Sequence, residues 1–211
     1  LVISFFTSFF SQSYTIPNWL LVLFTLAALM THPLVGIPAF ILLALGLYEK
    51  YKDQLSLPQF AHRLVLTSLF VLGSVSASAM FLLNSAISKE FTTSIKPLHD
   101  ITLADITAWL PLQLFPTESQ YRSFFYEFGY FFSENIWWLL TAFLLLASYW
   151  LLMRSKYSYF RVFALLALIL IVNATLVSAA LSFPELIQYE TQEYSRRLFT
   201  MAYWAMMPFL F

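Results

Sequence analysis

The side chains able to do chemistry are few, and each stands beside an apolar run. His32 lies in Thr31-His32-Pro33, His99 and Asp100 are neighbours, and Arg196-Arg197 follow Glu185, Glu190 and Glu193. Arginine and histidine hold a phosphate or pyrophosphate by charge-assisted hydrogen bonds, and a carboxylate can serve as general base. The same residues also have a purely structural account. His32 would cap a broken helix, the arginines would anchor at headgroups or pair with glutamate, and Asp100 would be a helix N-cap. No glycine-rich phosphate loop, HExxH, GxSxG or fixed carboxylate pair occurs in the sequence, so no catalytic residue is assigned. The histidines at 32, 62 and 99 lack metal-ligand spacing, and the absence of cysteine removes thiolate metal sites, disulfides and a cysteine nucleophile. No metal site is expected, and the sequence names no cofactor.

These residues must be positioned by helices made for lipid. Pro17 to Leu47 contains 31 residues with one histidine and no acid, lysine or arginine. A continuous helix of that length would reach about 45 Å, well past a hydrocarbon core of roughly 30 Å. Thr31, His32, Pro33, Gly36 and Pro38 fall at its midpoint, where two prolines each remove a backbone donor. The expectation is two short helices meeting at a break over Thr31–Pro38, with His32 at one membrane face.

The remaining segments alternate between polar and apolar. Tyr48 to Arg63 carries Lys50, Lys52 and Arg63 and reads as a cytoplasmic loop. Leu64 to Ile87 supplies 24 uncharged residues, with the small-residue stretch Gly73–Ala79 at its centre for close helix packing. Ser88 to Asn135 is the extracytoplasmic loop. Six acids (Glu90, Asp100, Asp105, Glu118, Glu127, Glu134) there outnumber Lys89, Lys96 and Arg122. Its aromatics from Tyr121 to Phe132 fall on one helical face and predict an interfacial helix. Asp100 to Leu110 predicts a second, short helix capped by Asp100.

Ile136 to Met153 is a span with aromatic belts at both ends, Arg154 to Arg161 a second basic link, and Val162 to Leu181 a return span carrying Asn173. That amide is read first as helix-to-helix glue. Ser182-Phe-Pro-Glu185 has the form of a capping box and predicts a short outer helix, followed by another membrane segment from Leu198. Residues 48–63 and 154–161 then lie inside and 88–135 and 182–197 outside, so His32, His99, Asp100, Arg196 and Arg197 would share the outer surface.

Composition bounds the class. Hydrophobic residues make up 60% and charged residues 10% of the 211 residues, net charge is zero and mean hydropathy is +0.74. The fold class is therefore all-α, a polytopic transmembrane helix bundle with interfacial amphipathic helices in its outer loops. Without a basic excess no nucleic-acid partner is implied, and the implied partner is the lipid bilayer of a multi-pass protein in the plasma (inner) membrane. An opening on LVISFF and an end on MMPFLF suggest that 1–211 forms a single membrane-embedded segment of a longer protein.

The stretch LFTLAALMTHPLVGIPAFILLAL, an apolar helix, then threonine and a basic residue before proline, then a second apolar helix, resembles a recurrent element of the GT-C class of polytopic membrane glycosyltransferases. EYSRRLFTMAYWAMMP resembles the arginine-containing entry to a late helix of that class. The resemblance covers about a quarter of the chain. It implies sugar transfer from a polyprenyl-phosphate donor at the extracytoplasmic face, with His32, His99, Asp100, Arg196 and Arg197 as candidate substrate-binding residues. The class's early acidic motif has no counterpart here, so no catalytic base carries over. A transporter or permease subunit, with Asn173, the small-residue helix and the helix breaks lining a path, is the alternative from another class, and a non-enzymatic assembly subunit is a third.

Overall fold

The computed structural model of the chain describes residues 17–31, 33–88, 92–107, 129, 132–133, 135–154, 158–184 and 188–206. Those residues are predominantly helical. Two helices, α1 (Asn18–Thr31) and α2 (Pro33–Tyr51), form an antiparallel hairpin. At its open end Lys50 donates to the Asn18 side-chain carbonyl at 3.1 Å, and the Asn18 amide donates to the Tyr51 hydroxyl. At its tip the Thr31 hydroxyl bonds back to the Ala27 carbonyl at 2.9 Å, satisfying a last-turn acceptor, and Pro33 opens α2 where its missing donor costs nothing. The expected break over Thr31–Pro38 thus occurs within Thr31–Pro33. Pro38 is carried inside α2 at the loss of one backbone bond, a correction to its expected role as a second breaker. His32 itself lies outside the described residues.

After a short 3-10 turn at Lys52–Gln54, α3 (Gln59–Ser88) runs for 30 residues, beginning inside the stretch read as a loop because nothing from Gln59 to Arg63 opposes a helix. Next come β1 (Ser94–Ile95), a 3-10 turn at Leu98–Asp100 and α4 (Leu103–Thr107). The expected N-cap at Asp100 is overturned. Asp100 closes the 3-10 turn, and α4 is capped by Thr102, whose hydroxyl accepts from the Asp105 amide at 3.2 Å while the Asp105 carboxylate accepts from the Thr102 amide at 2.9 Å. This reciprocal box satisfies two donors that a lone aspartate could not. The aromatic face between Tyr121 and Phe132 lies almost wholly outside the described residues.

The second half contains α5 (Ile136–Arg154), α6 (Ser158–Ala180), β2 (Leu181–Ser182) and α7 (Gln188–Met206). β1 and β2 pair antiparallel, Ser94 with Ser182 and Ile95 with Leu181, so Ser182 is held in a ladder. The expected short outer helix and separate membrane segment from Leu198 are one continuous α7. Ser195, Leu198, Phe199, Ala202, Ala205 and Met206 form its buried stripe at helical spacing, unbroken across the jump in polarity at Leu198.

Helix α6 is the centre, packed against α2, α3, α4, α5 and α7. Ala167, Ile169, Leu170, Asn173, Ala174 and Val177 are fully buried along it. The outer helices invert that pattern: Met30 is 88% exposed, Leu72 66%, Ile87 74% and Leu146 68%. Two of the described helices, over Gln59–Ile87 and Arg161–Ala180, are long and apolar enough to cross a membrane.

The small-residue centre of α3 meets α6 through Asn173. Its amide nitrogen donates to the Gly73 carbonyl at 2.6 Å and the Ile169 carbonyl at 3.0 Å, and its oxygen accepts from the Ala77 amide at 2.9 Å. Every polar atom of the side chain is therefore spent on backbone, the glue role expected from the sequence.

Candidate functional site

Residues 92–107 form a built cap on the end of α6. Besides the β1–β2 ladder, the Lys96 amide donates to the Ala180 carbonyl at 2.8 Å and the Ser178 hydroxyl donates to the Asp105 carbonyl at 2.7 Å. Lys96 Nζ lies 2.8 Å from the Asp105 carboxylate, and the Thr102 hydroxyl donates to the same carboxylate at 2.6 Å. The Lys96 ammonium first, then the Thr102 hydroxyl and amide, hold the Asp105 carboxyl well below the usual carboxylate range. An acid with a depressed folded pKa stabilises the fold above its unfolded value, about 4, and loses that contribution as pH falls toward the folded value. Amide protection in 94–107, taken relative to the intrinsic exchange rate at each pH, should therefore hold from neutrality to about pH 4 and fall below it. Asp105→Asn should remove that acid step and raise exchange at pH 7.

His99 and Asp100 project from this cap, His99 Nε2 lying 3.3 Å from Asp100 Oδ1, with side chains 82% and 58% exposed. Arg197 pairs with Glu193 at 3.2 Å on an exposed face of α7, and Arg196 is half-buried beside it. Among the described residues no hydrogen bond or ion pair joins the His99–Asp100 turn to either arginine, so these residues form two separate groups.

Arg197 gains its context from a groove. An apolar cavity of about 360 Å³ lies between the hairpin and α6–α7, lined by Ala28, Val35, Phe163, Leu170, Met201 and Trp204 among others. Arg197, Met201 and Trp204 stand at i, i+4 and i+7, one face of α7, so the Arg197 backbone lies about one turn, roughly 5 Å, from the groove wall, while its guanidinium reaches back toward Glu193. Ala28 and Val35 flank the hairpin tip, so the Thr31–Pro33 break borders the same groove.

A second cavity went unnoticed in the sequence. About 440 Å³ in volume, it lies at the opposite, basic end, where Tyr48, Glu49, Lys52, Asp53, His62 and Arg161 converge over an apolar floor. The Tyr48 hydroxyl lies 2.9 Å from His62 Nδ1 and 3.2 Å from the His62 carbonyl, and Lys52 pairs with Glu49. Burial first, then the Glu49 carboxylate, raise the Tyr48 phenol and keep its proton in place. The available signal was the position of each residue at the edge of an apolar run, but the positive-inside bias accounted for the same charges.

Comparison with known proteins finds no matching family model, no matching curated protein and no matching solved structure.

Proposed function

We propose that this chain is the polytopic, membrane-embedded part of a glycosyltransferase of GT-C type, taking its sugar from a polyprenyl-phosphate donor at the extracytoplasmic face of the plasma (inner) membrane. The membrane assignment is supported by α3, whose apolar window is only 17% buried: a core helix of a water-soluble domain would be covered, and lipid is the solvent that suits such a surface. On the cap, Ile95, Leu98 and Leu103 are exposed apolar side chains suited to the headgroup boundary.

The observation that carries the donor assignment is the groove below Arg197. A polyprenyl phosphate is a long apolar chain ending in an anion. The groove supplies an apolar trough, and α7 carries Arg197 one turn beyond it on the same face, close enough for the side chain to swing from Glu193 toward the groove mouth. Arg197 would exchange Glu193 for the phosphate, a stronger charge-assisted partner. Arg196, His99, Asp100 and His32 are supporting candidates on the same proposed surface. Of the features behind the transporter reading, the Asn173 amide is engaged with backbone, which favours the transferase reading over a path lined by that side chain.

Arg197→Ala in the full-length protein should weaken binding of a polyprenyl-phosphate sugar in proteoliposomes by about 1.5–3 kcal/mol, the range for a hydrogen bond to a charged group. Equal binding and transfer by the variant and the parent would remove this assignment.

A further inference from the structure

The groove between the hairpin and α6–α7 has a proline in its wall. Pro38 lines it from inside α2, where a proline has no N–H to offer the carbonyl four residues back, that of Leu34. The two ends of one i to i−4 step lie on the same helix face, and the pyrrolidine ring occupies the place beside that carbonyl which an amide hydrogen would have filled. The face that brings Pro38 to the groove therefore brings the Leu34 carbonyl oxygen with it. The wall is open here. Pro38 is half-buried, and Val35, the next lining residue toward the hairpin tip, is 48% exposed. Leu42, Phe163 and Leu166 continue the lining as apolar surface. A carbonyl oxygen set in such a wall costs free energy until a donor reaches it.

We propose that this groove is a binding site for a neutral long-chain alcohol, whose hydroxyl donates to the Leu34 carbonyl while its chain lies along the apolar wall. The proposal rests on the groove and on Pro38, and stands apart from the assignment of a sugar donor. The chemistry of the wall selects the class. A hydrocarbon of equal length would leave the carbonyl without a donor. An ionised carboxylate has no hydrogen to give and would set its charge against the carbonyl oxygen. An ammonium can donate, but no acid stands among the described lining residues to balance it, and an unpaired charge is costly to desolvate. A hydroxyl brings one donor for one acceptor and no charge. The volume, about 360 Å³, is within the range of small-molecule sites.

The test is competition for radiolabelled dodecan-1-ol on the full chain in nanodiscs, with protein-free nanodiscs as the blank. At equal mole fraction in the bilayer, unlabelled dodecan-1-ol should displace the label about fivefold more effectively than dodecane, dodecanoate or dodecylammonium, the ratio for one neutral hydrogen bond. Pro38→Ala returns an N–H to α2, which takes up the Leu34 carbonyl. In that variant the alcohol should fall to the level of dodecane, whose own binding should not change. Val35→Trp, which crowds the open part of the wall, should weaken all four probes together. Equal displacement by alcohol and hydrocarbon in the parent overturns the proposal. So does a preference for alcohol that survives Pro38→Ala, or binding that Val35→Trp leaves untouched. Loss of alcohol and hydrocarbon alike in Pro38→Ala overturns it too, because the shape of the groove and not the carbonyl would then set affinity. Binding of a polyprenyl-phosphate sugar, measured on the same discs, reports on the donor assignment alone: its absence beside an intact alcohol preference would defeat that assignment and leave this one standing.

Discussion

Asn173→Asp should destabilise the bundle by about 3 kcal/mol, whereas Asn173→Leu should cost only about 1 kcal/mol. The order reverses what side-chain similarity suggests, and the geometry explains why. The Gly73 carbonyl and the Ala77 amide, the two α3 groups that Asn173 engages, are the acceptor and donor of a single i to i−4 helical step. When leucine replaces asparagine these two groups can pair with each other, so little is left unsatisfied. Aspartate keeps the polar wedge between the helices but reverses part of its polarity. Its second oxygen would face the Gly73 and Ile169 carbonyls, both of which now accept from the amide nitrogen. Ionised, it is a buried charge among acceptors. Protonated, it has one donor for two carbonyls. Unfolding of both variants in mixed micelles would measure the difference, and equal costs would mean that the amide contributes little beyond its volume.

What the sequence revealed depended on how local the cause was. Helices α5 and α6 were legible because uninterrupted apolar length is itself the signal, and the break at Thr31–Pro33 because Thr-His-Pro stops a helix from within. The unity of α7 was hidden. Average polarity changes sharply at Leu198, while the buried stripe from Ser195 to Met206 that holds the helix against α6 is visible only by period. Asp100 was misread as a cap because two aspartates compete locally, and the Thr102–Asp105 box wins by satisfying both partners. The β1–β2 ladder joins strands of two residues from distant parts of the chain, too short to leave a pattern. The groove and the basic-end cleft share that limit. Arg197 was legible as a candidate, but the apolar trough beneath it is assembled from four helices. His62 meets Tyr48 only after α2 and α3 have packed.

Gly36→Ala should be the more damaging of two chemically identical changes, costing at least about 3 kcal/mol, whereas Gly73→Ala should cost under about 1 kcal/mol. Intrinsic propensity favours alanine over glycine inside a helix by about 1 kcal/mol, so it cannot explain a loss at either position. The difference lies in what a new Cβ would meet. At Gly36 it would fall on the backbone of Leu29, against its Cα and 2.6 Å from its nitrogen, where α1 and α2 cross just below the hairpin tip. Backbone cannot rotate out of the way, so the helices would have to separate, giving up the close packing that defines the hairpin. At Gly73 the new Cβ would lie 3.1 Å from Ile169 Cγ2, the end of a side chain that can yield by a few tenths of an ångström, and the propensity gain offsets part of the strain. Thermal unfolding in detergent should therefore show a large loss for the first variant and a small shift for the second. The chain's lack of cysteine allows an independent check of geometry. Cysteines placed at Asn18 and Lys50, whose long side chains now meet at 3.1 Å, should be joined efficiently by a short bifunctional thiol reagent in the Gly73→Ala background. They should cross-link poorly with Gly36→Ala, because helices separated near their tip splay most at the open end. A Gly36→Ala protein that is as stable as the parent and cross-links as well would show that α1 and α2 do not cross at this distance.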